Sequence, residues 1–178
     1  PRRRNDRPDR TSPHYKLAKP EKPRKVLVFS ATRGFRHSSI AIGVEALKRL
    51  GAKTHAYEAT HSEDMAVFEK DALDKFDAVI FLNTTGELFT PPDFDKLDDA
   101  GRKKATETEA RLKKNLEAFI TGGKGFVGIH SATDTFYKWP FFGDMIGGYF
   151  DGHPWGAGDD VVIKIDDATH PLIAPLGP

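Results

Sequence analysis

Gly125-Phe126-Val127-Gly128-Ile129-His130-Ser131-Ala132-Thr133-Asp134 is the stretch that decides the fold. Its first half is a short apolar run, and its second half is a turn of small and polar residues. That order reads as a buried strand of a parallel sheet passing into a tight turn. In open α/β sheets, ligands bind outside the carboxyl ends of the strands. His130 therefore falls where a reactive side chain is presented. The setting is that of a nucleophile elbow, a strained strand-to-helix turn that exposes one residue. Here an imidazole stands where a Ser or Cys nucleophile would. The plainer reading of His130 is a side chain that only hydrogen-bonds its own loop.

Working outward, the same alternation recurs. Val26-Leu27-Val28-Phe29 is an apolar run ending in Ser30 and predicts a first strand. A loop from Ala31 to His37 follows, with Ser38 or Ser39 suited to cap the next helix. Ile40, Val44 and Leu47 recur on one helical face, and Gly51 suits the position just past the helix end. Thr54–Tyr57 reads as a second strand and Met65–Phe76 as a short helix. A third strand begins at Asp77 and runs to Leu82, with Asn83-Thr84-Thr85-Gly86-Glu87 at its carboxyl end. Residues 91–106 are strongly charged and read as a surface insertion leading into a helix. Leu112, Leu116, Phe119 and Ile120 give that helix its apolar face, and Gly122-Gly123 end it. Trp139–Tyr149 holds a short helix broken at Gly147-Gly148, and Val161–Ile165 reads as a fifth strand. Strands alternating with helices predict a parallel sheet with right-handed crossovers. Neither a dinucleotide-binding glycine fingerprint nor a P-loop is present.

The chain has 178 residues, enough for one domain with a sizeable core. It has no Cys, which excludes disulfides, thiolate catalysis and Cys-ligated zinc. No apolar run approaches the ~20 residues of a membrane-spanning helix, so no membrane partner is expected. Charge is uneven. Residues 1–25 hold ten Lys and Arg against three Asp and Glu, and the remainder is acidic. Residues 1–24 are Pro-rich and nearly free of apolar residues, so they predict an extended arm outside the core. Such an arm suits wrapping a neighbouring copy in a homo-oligomer. The acidic body is the opposite of a nucleic-acid-binding face. The chain begins at Pro1 rather than Met, which leaves both a cytoplasmic and an exported, processed protein open.

Three strand-end loops are expected to converge. They carry Arg36 and His37, then Asn83, Thr85 and Glu87, then His130, Ser131 and Asp134. Two imidazoles, two carboxylates, an amide and hydroxyls suit binding a polyhydroxylated ligand and moving protons on it. His37 sits at a helix N-terminus, where the neutral imidazole is favoured. Arg36 also suits a structural ion pair, and Asp134 a helix cap. Eight aromatics lie within residues 136–155, and Trp139 and Trp155 are the candidates for stacking on a sugar ring. His153 is a third candidate imidazole. With His37 and His130 it offers a dispersed ligand set for a divalent metal.

These segments together resemble the trehalose-utilisation, or ThuA-like, family. The matching stretches are Val26–Phe29, Gly34-Phe35-Arg36-His37-Ser38-Ser39-Ile40, Val79–Glu87, Gly125–Asp134, Trp139-Pro140, Gly147-Gly148-Tyr149-Phe150, His153-Pro154 and His170-Pro171. The resemblance covers residues 25–178. It implies a flavodoxin-like fold related to class I glutamine amidotransferases, a parallel sheet with helices on both faces. His130 takes the place of the catalytic Cys of those enzymes, so thiolate amide hydrolysis is not expected. The resemblance also implies work on trehalose or related disaccharides through 3-keto sugars. His37, Glu87, His130 and Asp134 would carry acid–base chemistry. Arg36, Asn83, Thr85, Ser131, Trp139, His153 and Trp155 would bind substrate. A non-catalytic sugar-binding module and a metal-dependent hydrolase built on His37, His130 and His153 are the alternatives. The family domain continues past the His-Pro turn, so a domain lacking its C-terminal segment is expected.

Overall fold

The computed structural model describes residues 21–156, 158–170 and 173. The basic arm proposed to bind a second copy lies outside the described residues up to Pro20. The chain divides into two units, one spanning residues 20–151 and the other taking in the stretch from Gly152. Among the described residues, the first unit holds all the helices and strands. Its elements are β1 (Arg24–Phe29), α1 (Ile40–Thr54), β2 (Tyr57–Ser62), a 3₁₀ turn (Met65–Phe68), α2 (Lys70–Leu73) and β3 (Ala78–Leu82). A 3₁₀ turn (Phe94–Lys96), α3 (Asp99–Thr121), β4 (Gly125–Ile129), a 3₁₀ turn (His130–Thr133) and α4 (Pro140–Ile146) follow.

All strand pairs are parallel, in the order β2-β1-β3-β4. That is the flavodoxin-like order, whose switch point lies between β1 and β3. Alternating side chains divide the core in two. Val26, Val28, Ile80 and Leu82 face α1 through Ile40 and Val44. Leu27, Phe29, Val79 and Phe81 face the other way and pack with Leu112, Leu116 and Phe119 of α3, Phe142 of α4 and Phe68. Helices thus cover both faces, and the β1 and β3 runs are apolar throughout because both their faces are covered.

Five readings change. β4 is an edge strand, with Val127 48% exposed, rather than a strand buried on both faces. Val127 lies opposite Ile80 on the α1 side, one strand beyond those that Ile40 and Val44 cover. α1 runs past Gly51 to Thr54, and the left-handed residue at its end is His55. Gly51 is small for a different reason: a Cβ there would lie 2.5 Å from the Tyr57 carbonyl oxygen. The second strand accordingly starts at Tyr57. Met65–Phe76 is split, with Asp64 capping the 3₁₀ turn by accepting from the Ala66 N–H at 2.9 Å. Val161–Ile165 forms no strand, and Val162 and Ile163 are 98% and 83% exposed. A β-branched run fits a pleated surface, but its neighbour must supply the ladder.

Candidate functional site

The carboxyl ends of β1, β3 and β4 are extended by two isolated parallel bridges, Thr32 with Thr85 and Gly86 with Thr135. They tie the three loops into one rim. Thr85 is the central tie. Its buried hydroxyl donates to the Phe35 carbonyl at 3.0 Å and accepts the Gly34 N–H at 3.1 Å. Its carbonyl accepts the Arg33 N–H at 2.7 Å. Thr85 therefore shapes the β1 loop, and its hydroxyl is engaged there rather than turned to a ligand.

That loop delivers His37 against His130, with ring centroids 4.5 Å apart at 72°. His130 is exposed and takes φ +55°, left-handed backbone that a non-glycine residue adopts at a cost of about 1–2 kcal/mol. Asn83, at the end of β3, is likewise left-handed at φ +53°. Its Nδ2 donates to Ser39 Oγ at 2.8 Å. Ser39 thus spends its side chain on Asn83 and makes no side-chain cap on α1. Burial lowers the His37 pKa, the charge of His130 lowers it further, and Asp134 opposes both. Asp134 Oδ1 accepts the Tyr137 hydroxyl at 2.5 Å. The Tyr137 pKa is pushed up to about 12, by burial first and by Asp134 second. Ser131 Oγ is buried without a hydrogen-bond partner. Phe35, 69% exposed, meets the His37 ring edge-on at 4.8 Å.

Glu87 faces elsewhere. Its Oε1 accepts the Lys138 N–H at 3.2 Å, and its Oε2 lies 3.7 Å from Lys113 Nζ on α3. The second distance is an ion pair but too long for a hydrogen bond, consistent with Oε2 being buried without a hydrogen-bond partner. Lys113 also pairs with Glu109 at 2.6 Å. Burial raises the Glu109 carboxyl, but Lys113 and Thr90 outweigh it and hold it below its ordinary range. Glu87 and Glu109 join Arg33, Thr90 and Lys138 around a cleft of about 770 Å³ between the β1 and β3 loops. Lys113 and Glu109 were not among the expected site residues. Their only signal is an i, i+4 charge pair on a helix, which ordinarily marks a solvated face.

Arg36 is held in an ion pair with Glu63, its two terminal nitrogens 2.8 and 3.2 Å from the carboxylate oxygens. Ser30 Oγ donates to Glu63 at 2.8 Å and lies 2.8 Å from His61 Nε2. The structural reading of Arg36 describes this geometry. Trp139 is 9% exposed, packed among Phe136, Phe141 and Phe142. It is a core residue, whereas Phe35 and Tyr137 are the aromatics open at the rim. Trp155 is 58% exposed and His153 exposed, both in the unit that begins at Gly152. Among the described residues, no three His, Asp or Glu side chains are grouped to hold a metal ion.

The family of trehalose-utilisation proteins matches residues 25–178, nearly the whole chain. The chain belongs to the ThuA family. A ThuA-like protein of Bacteroides uniformis is similar in structure, at 20% identity and a TM-score of 0.47. That match covers 75% of this chain, and the chain spans 48% of that protein's length. No curated protein matches. Among the described residues, no helix is long and apolar enough to cross a membrane.

Proposed function

We propose that this ThuA-family chain is an enzyme of disaccharide utilisation that moves a proton next to a ketone on a 3-keto disaccharide. The observation that carries the reading is the His37–His130 pair at the strand ends, with His37 kept neutral by burial and by its neighbour. A neutral imidazole is a competent base near neutral pH. The proton on C2, beside a C3 ketone, is acidic. His37 takes it, and the charge that develops on the ketone oxygen is met by the Asn83 amide or the Ser131 hydroxyl. The enediolate then expels the glycosidic oxygen at C1. His130 delivers a proton to that leaving oxygen, so one proton is taken and one is given. Asp134, whose charge acts on His37, is the carboxylate partner in this scheme. Glu87 serves the cleft on the α3 side. Phe35 gives the pyranose ring an apolar face beside His37.

The test is product formation from trehalose, other disaccharides and their 3-keto forms, with wild-type protein and His130→Ala. Turnover in the wild type that is lost in the variant supports the reading. Binding without turnover on every member would replace it with a sugar-binding module.

A further inference from the structure

We propose that the groove between α4 and Tyr137 is a second sugar subsite, holding the ring of the disaccharide that carries no reacting atom. The proposal rests on the sugar-enzyme reading above. The groove encloses about 490 Å³ and is lined by Tyr137, Pro140, Asp144, Gly147, Gly148 and Tyr149. That is within the size of small-molecule sites.

Three observations converge on it. The first is continuity with the imidazole pair. Tyr137 lines the groove, and its hydroxyl donates to Asp134 Oδ1 at the end of the turn that begins with His130.

The second is the chemistry of the lining. Tyr137 and Tyr149 stack with centroids 5.3 Å apart at 26°, forming an aromatic step. Such a surface takes the C–H face of a sugar ring. Asp144 is exposed and, ionised, accepts from neighbouring hydroxyls. It is the one charged group on the lining, so an anionic ligand is disfavoured and a neutral polyol favoured.

The third is the rigidity of the walls. Gly143 carries no side chain because a Cβ there would lie 2.6 Å from the Tyr149 ring. The Tyr149 hydroxyl donates to the Trp139 carbonyl at 2.7 Å, which fixes the ring over α4. Gly147 and Gly148 take φ +95° and +150°, and a Cβ on either would meet nothing within 4 Å. Their lack of a side chain answers to backbone conformation and leaves bare backbone open to the groove. A subsite built in advance loses little freedom on binding.

The experiment is calorimetric titration of the full-length protein with trehalose and with glucose, repeated on Asp144→Ala and Asp144→Asn. Losing one charge-assisted hydrogen bond should weaken trehalose binding about tenfold in Asp144→Ala. Asp144→Asn keeps an acceptor and should recover most of the loss. No weakening for trehalose in Asp144→Ala overturns the subsite. A wild type that binds neither sugar, nor 3-keto trehalose in the same titration, overturns the sugar reading itself, and that failure is visible before any variant is made.

Discussion

His130 and Asn83 both hold left-handed backbone at the ends of neighbouring strands. Asn and His both take this conformation more often than most residues, and still at a cost. Strain of this kind persists where the surroundings over-determine it. Here the β4 ladder on one side and the His130–Thr133 turn on the other do so. The electrostatics of the pair give a test with a sign. His37 sits below its ordinary value of 6.5, and Asp134 is the charge that raises it. If His37 is the base, the acid limb of kcat/KM lies below 6.5. Asp134→Asn removes the raising charge, so the limb should move to lower pH. A pH–rate profile for the two proteins checks this, and a limb that stays or moves upward contradicts the assignment.

At the scale of elements, the β1 loop depends on one threonine. Thr85→Val removes the hydroxyl that holds the Phe35 carbonyl and the Gly34 N–H, leaving both groups of this exposed loop to water. The loss should destabilise the protein by about 0.5–1.5 kcal/mol, read from the denaturant midpoint. Because the loop carries Phe35 and His37, KM for the sugar should rise as well. A neutral substitution would show that the loop holds its shape by other means. Much of this level was legible in the sequence. β1, β3 and β4 are apolar runs ending in polar turns, and the strand-end rule placed their loops correctly. Contacts between distant segments were not legible. Nothing near Gly51 announces the Tyr57 carbonyl, so a glycine excluded by contact read as a helix end. Glu63 meets Arg36 across 27 residues and Lys113 meets Glu87 across 26, and one sequence cannot pair them. Two aromatics differ in exposure for the same reason. Trp139 is buried by the Phe136–Phe142 cluster, and Phe35 is left open by a loop whose hydrogen bonds are set by Thr85.

At the scale of the molecule, acid should weaken the fold through several groups acting together. His37 and His61 are lowered in the folded state by burial first. The unfolded chain therefore takes up protons that the folded one resists, and stability falls as pH drops below 6.5. Burial raises Glu63, but its bonds to Arg36 and Ser30 outweigh this and hold it below 4.5, so its contribution is lost as pH falls through that value. Both effects have one sign. The thermal midpoint should be lower at pH 5 than at pH 7, and lower again at pH 4. A midpoint that rises on acidification would contradict the burial of these groups. The sheet itself rests on the aromatic cluster of Phe29, Phe68, Phe81, Phe136 and Phe142 beneath the strand ends. That cluster is a firm base for the rim above it.

The central claim is that the imidazole pair removes the proton beside the ketone. The most direct measurement is proton NMR of 3-keto trehalose in D₂O with catalytic amounts of the protein. The account predicts that the C2 proton signal is lost as free glucose appears, and that both changes vanish in His37→Ala. Release of glucose from the wild type before any C2 exchange, with His37→Ala equally active, would contradict it.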